Sequence, residues 1–197
     1  MLTYSLKTTS FSTRFFSSFT RFIDTTLPSP NYKYHIVTSL SPSIHLNLAL
    51  EEYFFEHCSL RTPMLLLYRN DKTIVIGKHQ NPWKECHVQE MEKAGVVLCR
   101  RKSGGGAVYQ DLGNSVFSFL NPSIFPSQDF KTMNNSLLIG ALSECGIEAQ
   151  ASGRNDLTIQ DDKFKISGSA YKLRIRGGLR QALHHGTMLI NVDLQAL

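Results

Sequence analysis

Cysteine is scarce in this chain and is arranged without pattern. Cys58, Cys86, Cys99 and Cys145 are the 4 cysteines among 197 residues, and no two of them form a Cys-x-x-Cys pair. That excludes a disulfide-stapled scaffold and a zinc ribbon, and leaves small hydrophobes suited to a reducing compartment. His184 and His185 are adjacent instead of four apart, and no His-Glu-x-x-His run occurs. No protein-built metal site is expected. Also missing are a Walker motif and a Gly-x-Gly-x-x-Gly after a first strand, so neither a P-loop nor a dinucleotide fold is supported. Without a zinc-finger spacing, an RNP-like run or a basic stripe interleaved with aromatics, no nucleic acid partner is expected. No apolar stretch approaches the length of a bilayer span, so no membrane association is expected either.

Acidic residues are absent from residues 1–23, where Lys7, Arg14 and Arg21 sit among serines, threonines and phenylalanines. Phe11, Phe15, Phe19 and Phe22 fall on one side of a helix with Arg14 and Arg21 available to the other, the make-up of a mitochondrial matrix-targeting segment. Pro28-Ser29-Pro30 breaks any such helix. The chain therefore divides into a targeting segment and linker over residues 1–30 and one folded domain over 31–197. With 42% hydrophobic and 19% charged residues it is ordinary globular material, and its formal charge of +5 is modest.

Along the body, Tyr34 to Leu40 reads as a strand and Ser41-Pro42-Ser43 as a helix start. From Ile44 to His57, Leu46, Ala49, Leu50, Tyr53 and Phe54 form an apolar helical face, with Glu51, Glu52 and Glu56 directed elsewhere. Met64 to Tyr68 and Thr73 to Ile76, separated by the Asn70-Asp71 turn, read as a hairpin. Val88 to Ala94 is a short helix closed by Gly95, and Val96 to Cys99 a strand. Ala107 to Tyr109 and Ser115 to Leu120 continue the sheet on either side of an Asp111–Asn114 turn. Asp129 to Cys145 is a second long helix, Leu157 to Ile166 a hairpin and Thr187 to Ile190 a last strand. Strands that pair with near neighbours, with helices between groups of them, predict an α+β domain around a mainly antiparallel sheet flanked by helices.

Three clusters carry chemistry. Arg100 to Gln110 reads RRKSGGGAVYQ, in which two arginines and a lysine lead into three consecutive glycines. Such a turn is either a flexible hairpin loop with a solvated charge run or a backbone cradle whose N–H groups and guanidinium groups hold an anion. Gly153-Arg154-Asn155-Asp156 enters a hairpin whose second strand carries Lys165. Period-two alternation points Lys165 away from Phe164 and Ile166, either into solvent or toward a carboxylate or acyl phosphate as a fixed positive charge. His184-His185-Gly186-Thr187 precedes the last strand as either a structural pair or the edge of a ligand channel.

RRKSGGGAVYQDLGN, GRNDL, KISGSAYK and HHGTMLINVDL together resemble the lipoate-protein ligase family, and IGKHQNPWKE at Ile76 to Glu85 resembles its mitochondrial lipoyltransferase members. The resemblance implies the catalytic domain shared with biotin ligases, related to class II aminoacyl-tRNA synthetases. It implies two steps, formation of lipoyl-AMP from lipoate and ATP, then attack by a lysine of a lipoyl domain. The implied acceptors are the E2 subunits of 2-oxoacid dehydrogenase complexes and the glycine cleavage H protein. Carried over by motif, Arg101, Ser103, Gly104, Gly105, Gly106 and Ala107 would line the lipoyl-adenylate site. Lys165 would be the principal catalytic contact, without becoming a covalent nucleophile. Asn155 and Asp156 would support the nucleotide and its Mg2+, and His79, His185, Gly186 and Thr187 would shape the substrate channel. Against the family, the chain is short at its C-terminal end, which implies an incomplete catalytic domain. An octanoyltransferase on the same scaffold is the nearest alternative, although neither Cys99 nor Cys145 sits in the matching cysteine motif. A non-catalytic binder of lipoyl domains is the alternative of a different class.

Overall fold

The run Met64–Tyr68 is apolar at every position, so it is stable as a strand only with both faces covered. The fold meets that need with a helix on each side of one sheet. In the computed structural model the described residues are 20–25, 34–123, 129–153 and 155–196. Eleven strands are β1 (Thr20–Thr25), β2 (Tyr34–Ser39), β3 (Met64–Tyr68), β4 (Thr73–Ile76), β5 (Val97–Arg100), β6 (Val108–Gln110), β7 (Asn114–Ser123), β8 (Ala149–Ser152), β9 (Asp156–Ile159), β10 (Phe164–Arg176) and β11 (Leu179–Leu189). The helices are α1 (Ile44–His57), α2 (Pro82–Glu85), α3 (Val88–Lys93) and α4 (Phe130–Glu144), and a short 3-10 turn covers Leu194–Ala196.

Eight strands form the main sheet in the order β1-β2-β3-β7-β11-β10-β9-β8, antiparallel except for the parallel pair β2–β3 that α1 connects. The expected α+β architecture with a mainly antiparallel sheet is what forms. On one face, Leu50 and Phe55 of α1 pack with Val37, Leu66, Tyr68, Val116, Leu120 and Leu183. On the other, Leu137 and Leu138 of α4 pack with Tyr34, Phe117 and Phe119, and Leu65 and Leu67 of β3 turn to this side.

Three sequence expectations are corrected. β3 and β4 do not form a hairpin, because β4 is the centre of a second, three-stranded sheet in the order β5-β4-β6. The Asn70 side chain at the turn is buried and donates to Gln110 at 2.6 Å, tying the turn into β6 of the smaller sheet. In α1 the buried stripe is rotated from the expected face: Ile44, Asn47, Leu50, Glu51 and Phe55 point inward, and Ala49 is exposed. Asn47 is held there by Ser39, the Ser41 and Arg69 carbonyls and Asn70. Phe22, counted in the helical targeting face, lies in β1, which pairs with β2. Phe11, Phe15, Phe19, Arg14 and the rest of residues 1–19 lie outside the described residues, as do residues 26–33 and Arg154.

Candidate active site

The glycine loop is shaped by the arginine in front of it. Arg101 is buried, 9% exposed, and its guanidinium is turned back onto the protein. Nη1 donates to the Val75 carbonyl at 3.0 Å, Nη2 to the carbonyls of Gly104 and Gly106 at 2.8 Å each, and Nε to Ser103 Oγ at 3.2 Å. Because the fork gathers the loop's carbonyls, its amides are left over. Among the described residues nothing accepts from the N–H of Gly104, Gly105 or Gly106. Gly105 has φ of +99°, a conformation that favours glycine, and a Cβ at Gly77 would collide with the Gly105 carbonyl. Arg101, which the resemblance places in the adenylate site, lines the cleft and also clamps the loop's carbonyls, leaving the three amides without an acceptor among the described residues.

Behind the clamp lies a continuous hydrogen-bonded chain. Ser103 Oγ is 2.7 Å from His185 Nε2, and His185 Nδ1 is 2.9 and 3.0 Å from the two carboxylate oxygens of Glu51. Ser118 and Tyr68 also donate to that carboxylate. Burial alone would raise the Glu51 carboxyl, but the charge and hydrogen bond of His185, with the Ser118 and Tyr68 hydroxyls, outweigh it and hold Glu51 below its ordinary value. Glu51 is thus a buried carboxylate, 4% exposed, that accepts and cannot donate. The sequence pattern sets Glu51 off the apolar face of α1 and gives it no role. The signal was present in the i, i+4 pair Asn47–Glu51 on the same stripe as Ile44 and Phe55.

Strand alternation explains the histidine doublet. Neighbouring residues of β11 point to opposite faces, so His185 enters the Glu51 chain on the α1 side and His184 goes to the α4 side. There His184 is fully buried, stacked at 6.3 Å on Phe119 and edge-on at 5.9 Å to Phe117. Burial pushes it down to about 4, with the neighbouring charges of His185 and Lys131 acting in the same direction.

Lys165 reaches the same side through an irregularity. In the β9–β10 register Lys165 opposes Thr158, but Ser167 opposes Leu157 and Gly168 opposes Asp156, so Ile166 is an extra residue at a β-bulge. The bulge puts Lys165, Gly168 and Asp156 on one face, where strict alternation would separate Lys165 from Gly168. Lys165 Nζ lies 3.0 Å from Asp156 Oδ1, and a Cβ on Gly168 would stand 3.1 and 3.2 Å from Lys165 Cε and Nζ. The side chain of Lys165 is 55% exposed, which leaves its ammonium free to meet a second anion.

These parts converge on one cleft of about 250 Å³. Its lining includes Arg101, Gly105, Gly106, Asn155, Asp156, Lys165, His185, Gly186 and Thr187. Ile44, Leu48, Tyr68, Val75, Ala107, Val108 and Val116 line the same cleft and add apolar surface. Ser103 and Gly104 touch the cleft's other residues through the Arg101 and His185 bonds without lining it, and Ser103 borders a separate cleft of about 430 Å³ beside α1. His79 lies in the turn after β4 and lines neither cleft. Among the described residues no group of three or more His, Cys, Asp or Glu side chains could hold a metal ion, and no helix is long and apolar enough to cross a membrane.

Comparison with known proteins gives the same shape and similar sequences. LipL1 of P. falciparum, solved in complex with lipoate, is 37% identical over 81% of this chain with a TM-score of 0.71. A bipartite lipoate protein ligase of Thermoplasma acidophilum, studied with its E2 lipoyl domain, is 30% identical over 80% of this chain and 61% of its own, with a TM-score of 0.68. A lipoate-protein ligase A bound with ATP is 31% identical over 76% of this chain and 63% of its own, with a TM-score of 0.64. The chain spans about half of the P. falciparum protein, 49% of its length. The model of the lipoyl protein ligase A/B catalytic domain matches residues 43–197, the stretch that contains the glycine loop, the β9–β10 bulge and the Glu51–His185 pair, and the chain belongs to that family.

Proposed function

We propose that the protein is a lipoate-protein ligase or lipoyltransferase that forms or uses lipoyl-AMP and passes the lipoyl group to a lysine of a lipoyl domain. The observation that carries this reading is the lining of the 250 Å³ cleft, in which the apolar side chains of Ile44, Leu48, Val75 and Val116 share one space with Gly105, Gly106 and the half-exposed Lys165. An acyl tail fits the apolar side chains, and an acyl phosphate junction fits the glycine amides and the ammonium. The relatives solved with lipoate and with ATP, and the one studied alongside its E2 lipoyl domain, support the same substrates and acceptor here.

In this reading the loop amides and Lys165 stabilise negative charge at the carboxyl and phosphate as the mixed anhydride forms and as the acceptor amine displaces AMP. In the first step the lipoate carboxylate bonds to the α-phosphorus of ATP and pyrophosphate leaves with its electron pair. In the second the neutral acceptor amine bonds to the acyl carbon, the acyl–phosphate bond breaks, AMP carries away the electron pair, and the amine's proton passes to solvent. Asn155 and Asp156 offer the oxygen donors that suit Mg2+ carried on the nucleotide, whose chemistry is to neutralise phosphate charge. When the anion arrives, Lys165 is shared between it and Asp156. The glycine cleavage H protein is a second acceptor under this proposal, and residues 1–23 direct the protein to the mitochondrial matrix.

The test is the mass of a purified lipoyl domain after incubation with this protein and either lipoate plus ATP or synthetic lipoyl-AMP. A lipoyl increment in both reactions establishes a ligase, and in the second alone a transferase. An unchanged mass in both, with binding to the lipoyl domain retained, would overturn the proposal in favour of a non-catalytic binder. Import of the full chain into isolated mitochondria, with loss of import on deleting residues 1–23, tests the location.

A further inference from the structure

We propose that Glu51 is a positioning residue for the glycine loop and acts through the tautomer of His185. The chain of contacts joins three distant parts of the sequence: Glu51 on α1, His185 on β11 and Ser103 before the glycines, separated by 134 and 82 residues. Each link has a direction. A carboxylate only accepts, so Nδ1 of His185 carries a hydrogen, and in the neutral ring Nε2 is left to accept from the Ser103 hydroxyl. The Ser103 oxygen then has a lone pair for Arg101 Nε, and Arg101 is in place to hold the carbonyls of Gly104 and Gly106. With the ring hydrogen on Nε2 the order fails. Two N–H groups then converge on Ser103 Oγ, and its own hydrogen loses its acceptor. The Arg101 clamp on the Gly104 and Gly106 carbonyls loosens and the loop loses its fixed shape. A single buried charge thus sets the sense of every bond up to the loop, without touching the ligand-facing amides.

Size alone cannot do this. Glu51→Gln keeps the volume but offers an NH2 that donates to a bare Nδ1, so it favours the opposite tautomer. A packing role predicts that this variant is silent; a positioning role predicts that it is not. The consequence for turnover rests on the acyl-adenylate reading of the cleft, whereas the consequences for the ring and the loop do not.

The experiment uses the full chain and three readouts: imidazole 15N shifts of His185, backbone 15N order parameters of Gly104 to Gly106, and steady-state kinetics with preformed lipoyl-AMP. In the native protein the ring should carry its hydrogen on Nδ1, and the loop should be rigid, with order parameters about 0.85. Glu51→Gln should move the hydrogen to Nε2, lower the loop values below about 0.6, and raise KM about tenfold with a smaller change in kcat. Ser103→Ala, which leaves the buried charge untouched, should loosen the loop in the same way while His185 keeps its Nδ1 hydrogen, so the idea stays testable if the Glu51 variant does not fold. A native ring hydrogen on Nε2, or a loop equally rigid in both variants, overturns the proposal. If native protein makes no product from lipoyl-AMP, it is the functional reading that fails, and the ring and loop measurements still decide this one.

Discussion

Two histidines one residue apart show how a single strand serves two ends. On the α1 side of β11, His185 meets the Glu51 carboxylate and the Ser103 hydroxyl, and through Ser103 the bonds run on to the Arg101 guanidinium in a ligand-sized cleft. On the α4 side, His184 meets the rings of Phe117, Phe119 and Tyr171, with Asn134 at 3.5 Å from Nδ1 and, among the described residues, no hydrogen-bond partner for Nε2. Both rings are buried, so burial does not distinguish function from structure here. The difference lies in what each ring can exchange hydrogen bonds with, and whether that partner leads anywhere. The first face is a wired site, and the second is a core that contains an imidazole.

The comparison is most severely broken by removing the charge on the wired face. Glu51→Ala leaves His185, Ser118 and Tyr68 without their shared acceptor and should cost about 3–5 kcal/mol in urea unfolding, far above the average surface change. A loss under about 1 kcal/mol would mean that the buried pair contributes little.

Next comes acid, which strikes the other face. The folded value of His184, about 4, lies below its ordinary 6.5, so between those values the unfolded chain binds a proton that the folded chain refuses. Stability should therefore fall as pH drops from about 6.5 toward 4, by on the order of 3 kcal/mol from this group, and should stop responding to it below that. His184→Leu should flatten this part of the pH–stability curve while leaving lipoyl transfer intact. An unchanged slope in the variant would assign the acid sensitivity elsewhere.

Lys165→Ala belongs to the wired face but carries no packing. It should slow acyl-adenylate formation or transfer on the order of 10²-fold and leave the unfolding free energy within about 0.5 kcal/mol, read by pyrophosphate release, product mass and urea titration. Rates unchanged from the native protein's, both with lipoate plus ATP and with lipoyl-AMP, would remove Lys165 from the chemistry. The smallest effect is expected from Lys93→Ala, whose 2.7 Å bond to Glu90 lies in open solvent and should not be measurable beyond about 0.5 kcal/mol.

Much of this molecule is legible locally. The α1 and α4 spans, with Ser43 and Asp129 as caps and Gly146 in a left-handed conformation beyond α4, follow from short-range patterns. So does the β9–β10 hairpin. The parts that were not legible depend on distant partners. Nothing near residues 64–76 says that β3 and β4 join different sheets, because their neighbours β7, β5 and β6 come later in the chain. Glu51 looks like one of three solvent carboxylates until His185, 134 residues away, is brought beside it. Lys165 could be aimed only once the bulge at Ile166 was visible. Arg101 was recognisable as important from its glycines, but its hold on the Val75, Gly104 and Gly106 carbonyls depends on the folded loop and has no signature in the sequence.

The most direct measurement is a 15N–1H titration of the protein with a stable lipoyl-adenylate analogue in which a sulfamoyl group replaces the phosphate. Saturable shifts confined to Gly105, Gly106, Lys165, Gly168, His185 and Gly186, with His184 and Asn134 unmoved, are the result expected of a cleft on the wired face. Saturable shifts centred on His184 and α4, or none around Lys165 at saturation, would contradict it.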